Sequence, residues 1–369
     1  MLAAVVFSSL FTKFHLPWVL ALIASGVFVG PYGFDVIAWT PTLDFFAEIG
    51  LIFLMFLAGL QVDLNSFKHF ERDVAIVTVF NGMVPFFVGL SIGLFFGFTL
   101  LGAVLVGVVF MSSAVAVIIP SLEAKGVMKR KVGRAIISSS IINDVASLLI
   151  LSAILQFYQP VTNLPIWSFY VLLVAVLVGL RYVLPKLRNM VPRFRDEKDL
   201  FESEVRIIFA MLLGTVVMFA SLGLHPIIAG FFSGLILSDS LTSDILLNKL
   251  HTIGYGIFIP IFFISVGVAT DFGILFSGVA VLFLVVVVAL GSVISKLASG
   301  YFSALWVGFS KQESLFLGFA TVPQLSTSLA VVVTATEFDL VPMELLSAIV
   351  VLSIISTMIS PLAMKWIKL

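Results

Sequence analysis

Apolar runs long enough to cross a bilayer recur along almost the whole chain, and no other sequence feature constrains its fold as strongly. A helix needs roughly 20 mostly apolar residues to span the hydrocarbon layer. Such runs fall near 1–13, 17–37, 44–61, 74–97, 99–121, 133–157, 165–186, 204–222, 225–238, 252–270, 273–306, 313–335 and 341–366. In hydrocarbon every backbone N–H and C=O must be paired within the protein, so only helices or closed barrels cross. These runs are too long and too continuously apolar for the alternating strands of a barrel. The expected fold is an all-α polytopic membrane protein of about 13 transmembrane helices, a single membrane domain over 1–369. Of the 369 residues only 11% are charged, against about 25% in a soluble domain. The first run is short for a span unless residues precede Met1. MLAAVVFSSLFTKF also lacks the basic region and cleavage site of a signal peptide.

Lysine and arginine set the orientation, because they accumulate in cytoplasmic loops. Loops after odd-numbered runs hold Lys13; Lys68 and Arg72; Lys125, Lys129, Arg130, Lys131 and Arg134; Lys186, Arg188, Arg193, Arg195 and Lys198; Lys249; and Lys311. Arg181 and Arg206 lie at the inner ends of their runs, and Lys365 and Lys368 lie in the tail. Loops after even-numbered runs hold none. The N-terminus is expected outside and the C-terminus in the cytoplasm, as in a prokaryotic cell membrane. Zero net charge argues against a nucleic-acid partner. The absence of cysteine excludes disulfides and thiolate metal sites. With four histidines and no nucleophile–base set, neither an enzyme nor a cofactor is expected.

One base and one acid remain deep within runs: Lys296 and Asp144. A charge at mid-membrane costs about 3 kcal/mol on insertion scales. Asp144 follows Ser138, Ser139, Ser140 and Asn143. A carboxylate suits a partly dehydrated monovalent cation, and it can take a proton instead. One carboxylate binds either but not both, and that competition by itself produces exchange. The plainer alternative is a buried aspartate satisfied by a neighbouring serine or by Lys296. Lys296, in GSVISKLASG, is open to two roles, counter-ion for Asp144 or second proton carrier; snorkelling to an interface is the plainer alternative.

Two runs look interrupted. FMSSAVAVIIPSLEAKG carries Ser112, Ser113 and Pro120, and GFATVPQLSTSLAVV carries Pro323, Gln324, Ser326 and Thr327. Proline breaks the helical ladder, and paired broken helices in two halves mark transporter binding sites. Runs over about 1–158 and 204–366 read as two inverted repeats joined by a linker helix at 165–186. Asp144, Asn143, Ser112, Ser113 and Ser140 are the candidate ion-binding residues, with a monovalent cation at Asp144. Asp63, Asp239, Asp271 and Glu313 read as interfacial or capping groups, and His225 as a loop residue.

LPWVLALIASGVFVGPYGF, AEIGLIFLMFLAGLQVDL, SSSIINDVASLLI, PIFFISVGVATDF and SKLASGYFSALWVGFSKQESLFLGFA resemble the monovalent cation:proton antiporter superfamily, in the branch of NapA-type sodium/proton antiporters and Kef-type potassium efflux proteins. The resemblance implies a dimerisation domain and a core domain with crossed discontinuous helices, and a homodimer. It also implies Asp144 as the ion-binding carboxylate, Asn143 in the acidic-pair position, and Lys296 as the core lysine. NapA-type members carry two aspartates where this chain has Asn143-Asp144, a pair that resembles electroneutral members. The stretch after Pro323 has Gln324 and Ser326 where Arg and Glu are frequent. The resemblance leaves a Kef-type potassium transporter without its regulatory domain, or a sodium-coupled solute symporter, as alternatives.

Overall fold

The computed structural model describes residues 2–13, 18–37, 40–60, 72–128, 130–158, 168, 171, 174–176, 178–183, 186, 202–221, 226–238, 241, 243–273 and 278–369. Of the expected linker helix at 165–186, residues 168, 171, 174–176, 178–183 and 186 are described and all are helical, whereas Asp63, Asp239 and His225 lie outside the described residues. The described elements are α1 (Leu2–Lys13), α2 (Trp18–Val29), α3 (Pro41–Leu60), α4 (Arg72–Phe95), α5 (Leu100–Met111), α6 (Val115–Ala124), α7 (Lys131–Tyr158), α8 (Ser203–Ser221), α9 (Pro226–Ser238), α10 (Asp244–Ile253), α11 (Ile259–Ala269), α12 (Val279–Trp306), α13 (Lys311–Thr321), α14 (Ser326–Glu337) and α15 (Met343–Trp366). Every expected run coincides with helix among the described residues. The runs at 99–121 and 313–335 are each split in two. Among the described residues, eight helical stretches are long and apolar enough to cross a membrane, with shorter apolar helices between them.

The run expected at 252–270 begins earlier. Ser243 caps α10, its side chain accepting from Leu246 N–H, and this holds the polar stretch DILLNKLHT in a helix. Between α10 and α11 lies one π-helical stretch, Gly254–Phe258, where Ile259 N–H reaches back five residues to the Gly254 carbonyl. Pro260 has no N–H to contribute, so the ladder shifts register beside it.

The chain forms two compact units. The first comprises residues 1–39, 69–151 and 263–369. Its helices pack through small residues, as expected where lipid offers no hydrophobic drive for association. A Cβ on Gly26 would meet the Ile264 carbonyl, one on Gly89 would lie 2.9 Å from Gly107 Cα, and one on Gly300 would lie 2.8 Å from Gly318 Cα. Helix α12 is apolar outside and polar inside. Leu282, Phe283, Val286, Leu290 and Ile294 are exposed, whereas Ser292, Ser295, Lys296, Ser299 and Ser303 are buried. That reversal of the soluble pattern suits a helix whose solvent is lipid. One end of the unit has an apolar cluster including Val77, Leu122, Val127, Ile136, Phe316 and Met364. At the same end Lys131 pairs with Asp73, and Lys125 caps α15 by donating to the carbonyls of Lys365 (3.0 Å) and Ile367 (2.7 Å). Glu313 completes a capping box with Ser310 at the start of α13. Asp271 accepts from Gly273 N–H. Both acids therefore act as local caps.

The second unit comprises residues 40–68 and 152–262. Its centre is the pairing of α3 with α9. A Cβ on Gly59 would meet the Phe231 carbonyl, and one on Gly234 would meet the Phe56 carbonyl. Phe53 on α3 stacks on Phe209 of α8 with ring centroids 5.0 Å apart. The small-residue stretch FFSGLILS, a natural candidate for a surface between protomers, is turned inward on α3: Phe231, Phe232, Ser233 and Gly234 are all buried.

Candidate ion-binding site

Helix α5 ends at Met111, Ser112 is extended, and α6 resumes at Val115. The interruption is therefore at Ser112–Ala114. Pro120, which the sequence pattern offered as the marker of this break, lies within α6 instead. The second interruption separates α13 from α14 across 322–325 and contains Pro323. The two breaks satisfy each other. Ala114 N–H donates to the Pro323 carbonyl at 2.6 Å. Ser113 Oγ donates to the Thr321 carbonyl at 3.0 Å, and Gln324 Nε2 donates to the Phe110 carbonyl at 3.1 Å. Ser112 Oγ and Ser328 Oγ bond one another, and Gln324 N–H donates to Ser356 Oγ of α15 at 3.2 Å. Helix ends carry orphan N–H and C=O groups. At this depth water is not available to take them, so each break serves as the other's cap.

Asp144 sits at the midpoint of α7 and faces the start of α6. One carboxylate oxygen, Oδ1, accepts from Ser113 N–H at 3.1 Å, and the Thr327 side chain, on the first turn of α14, lies beside the carboxylate. Two half-helix N-termini thus face one acid, an arrangement that favours negative charge. Asp144 as a whole residue is half-buried.

Lys296 is 0% exposed. Its Nζ donates to the Met111 carbonyl (2.7 Å), to Ser113 Oγ (2.9 Å) and, at longer range, to the Asn81 carbonyl (3.4 Å). Met111 is the last residue of α5, so the ammonium caps a helix C-terminus, where the peptide dipoles present partial negative charge. Lys296 and Asp144 attract through space and do not form a direct ion pair. Of the two roles open to Lys296, the geometry departs from a contact counter-ion.

The remaining candidates are distributed around this pair. Asn143 is buried with its Nδ2 unpartnered, and Ser140, one turn before Asp144, is buried with its hydroxyl unpartnered. Ser113 touches both charged residues. The Ser112 hydroxyl is turned away, occupied by Ser328 and the Val109 carbonyl. Ser326 opens α14 and Gln324 locks the crossing. Two contributors escaped the sequence pattern, Asn81 and Ser299, whose side chains bond each other at 3.1 Å beside the lysine. Asn81, a carboxamide deep in an apolar run, was the signal that could have found them.

Three comparisons bear on this arrangement. The profile of the family described as sodium/hydrogen exchanger, transmembrane, matches residues 1–367. The chain is 32% identical over 97% of its length, and 92% of the relative's, to "Probable Na(+)/H(+) antiporter 3" of Methanocaldococcus jannaschii. It is 28% identical, over 99% of its length and 95% of the relative's, to "Na(+)/H(+) antiporter" of Enterococcus hirae. Its fold superposes on the structure of the sodium proton antiporter MjNhaP1 from M. jannaschii at pH 8 with a TM-score of 0.69, covering 99% of this chain and 95% of that one at 16% identity.

Proposed function

We propose, from the premise that the chain belongs to the sodium/hydrogen exchanger family, that it exchanges a monovalent cation for a proton, both competing for the Asp144 carboxylate. The chain is an integral membrane protein with the antiporter fold. The observation that carries the reading is the setting of Asp144: a half-buried aspartate at the crossing of two broken helices, held by one backbone N–H beside the Thr327 side chain and, among the described residues, free of any contact ion pair. Such a group has oxygen lone pairs to offer a dehydrated cation and no contacting ammonium or guanidinium to displace. Ser140, Ser113 and Asn143 are the neighbouring residues that would complete its shell. The two-unit organisation is consistent with alternating access, in which one unit carries the loaded carboxylate across the membrane.

Exchange is one for one and electroneutral in this reading. A cation or a proton neutralises Asp144 equally. Lys296 depends on neutral oxygens for its contacts, so loading Asp144 breaks no bond to the lysine. The C-terminus is cytoplasmic, following the basic loops. A homodimer is proposed from the family resemblance, and FFSGLILS, buried against α3, does not supply its surface.

The test is proton movement in sealed proteoliposomes on addition of sodium, potassium or lithium in turn. Alkalinisation or acidification driven by at least one of them, against its gradient, supports the reading, and the ranking identifies the cation. Silence with all three, in protein shown to be folded and inserted, overturns it.

A further inference from the structure

Lys296 draws on a carbonyl that a helix would normally keep for itself. Inside α4, residue 85 is a buried proline. Proline has no N–H, so the carbonyl four residues earlier loses its intrahelical donor. That carbonyl belongs to Asn81, and it is the one Lys296 Nζ approaches at 3.4 Å. The other two oxygens around the ammonium have a similar origin. The Met111 carbonyl is orphaned because α5 stops there, and the Ser113 hydroxyl lies in the break itself. All three are neutral, and Asn143, the residue beside Asp144, has no charge to add.

We infer that Pro85 is a positioning residue of the exchange cycle: by withholding an N–H it leaves the Asn81 carbonyl free to hold the Lys296 ammonium in place whichever ligand Asp144 carries. A buried ammonium needs several oxygen partners, and a cage of neutral oxygens supplies them without responding to the state of Asp144. Among the described residues, Asp144 on α7 is the one titratable group that acts on Lys296 from α4, α5, α7 or α12. The inference rests on Asp144 being the exchanging carboxylate, but the link from Pro85 to Lys296 can be read without transport.

The experiment is a double-mutant cycle on the full chain, with Pro85→Ala, Lys296→Met and the pair, followed by thermal unfolding in detergent and by exchange in proteoliposomes. Pro85→Ala restores an N–H that competes for the Asn81 carbonyl. The expected result is non-additivity: Pro85→Ala harms the protein with Lys296 present and is neutral or stabilising in the Lys296→Met background. In exchange, Pro85→Ala slows turnover about tenfold, the scale of one hydrogen bond to a charged group, with little change in the cation concentration at half-maximal rate. Additive unfolding effects, including equal failure to fold in both backgrounds, overturn the inference, as does wild-type turnover in Pro85→Ala. A wild-type protein that does not exchange defeats the proposed function but leaves the unfolding cycle readable.

Discussion

Asp144 and Lys296 meet the same residue from different sides without meeting each other. Ser113 gives its N–H to the carboxylate at 3.1 Å, and its hydroxyl accepts from the ammonium at 2.9 Å. The break in the fifth run therefore separates the charges. The acid faces the beginning of α6 and the base caps the end of α5, each stabilised by the helix terminus of opposite sign.

Replacing Asp144 with Asn leaves a group that accepts from Ser113 N–H as before and cannot change charge. Exchange is expected to fall to the level of empty liposomes, with the unfolding midpoint held or raised, because a half-buried charge has been removed. Cation-driven proton flux above about one-tenth of wild type would contradict the assignment of Asp144.

Electroneutral exchange ignores the membrane potential, whereas moving one net charge is worth about 2.3 kcal/mol per 100 mV. Exchange rates in proteoliposomes with and without a potassium–valinomycin potential are expected to be equal, with sodium as the driving cation. A transient current on solid-supported membranes that reverses at a two-to-one balance would identify an electrogenic cycle, with Lys296 as the second carrier.

Ser113 and Ser112 are adjacent hydroxyls with different roles. Ser113→Ala removes an acceptor from Lys296 and the bond to the Thr321 carbonyl. It should cost about 1.5–3 kcal/mol, the value of a hydrogen bond to a charged group, read as a ten- to hundredfold slower exchange. Ser112→Ala removes only the bond to Ser328 and the back-bond to Val109. Its effect is expected on the unfolding midpoint, with exchange within about threefold of wild type. Initial rates at saturating cation check both, and the reverse ranking would count against the geometry.

Gly300 and Gly318 bring α12 against α13. A Cβ added at Gly300 would lie 2.8 Å from Gly318 Cα and 2.9 Å from Thr321 Oγ1. Overpacking of this kind costs about 1–3 kcal/mol. Gly300→Ala is expected to lower the midpoint in detergent and to slow exchange, since the displaced helices carry Lys296 and the Thr321 carbonyl. Gly308→Ala, with open space around its Cβ but φ +89°, tests backbone strain alone. It should lower the midpoint while leaving exchange rate per folded molecule unchanged.

Much of the fold was legible because a bilayer imposes a one-dimensional requirement: about 20 apolar residues per crossing, with charges at the ends. The spans, the two interrupted runs and the isolation of Asp144 and Lys296 follow from reading along the chain. The position of the first break did not. Pro120 is the stronger local signal, yet the helix stops at Ser112–Ala114, where the second break supplies partners for the freed backbone groups. The role of FFSGLILS was equally hidden, since Gly and Ser permit close packing with any neighbour and the pattern does not name which.

By itself the sequence determined that this chain lives in a membrane, where its deep charges are, and which serines lie near them, because these depend on composition and local order. Only the tertiary structure decided what Lys296 bonds. Its three oxygens come from residues 81, 111 and 113, on α4, the end of α5 and the break that follows. Two are backbone carbonyls, and every residue has one. A carbonyl becomes a ligand only where a helix ends or a proline withholds a donor, and where folding brings a lysine from a distant helix to the same point.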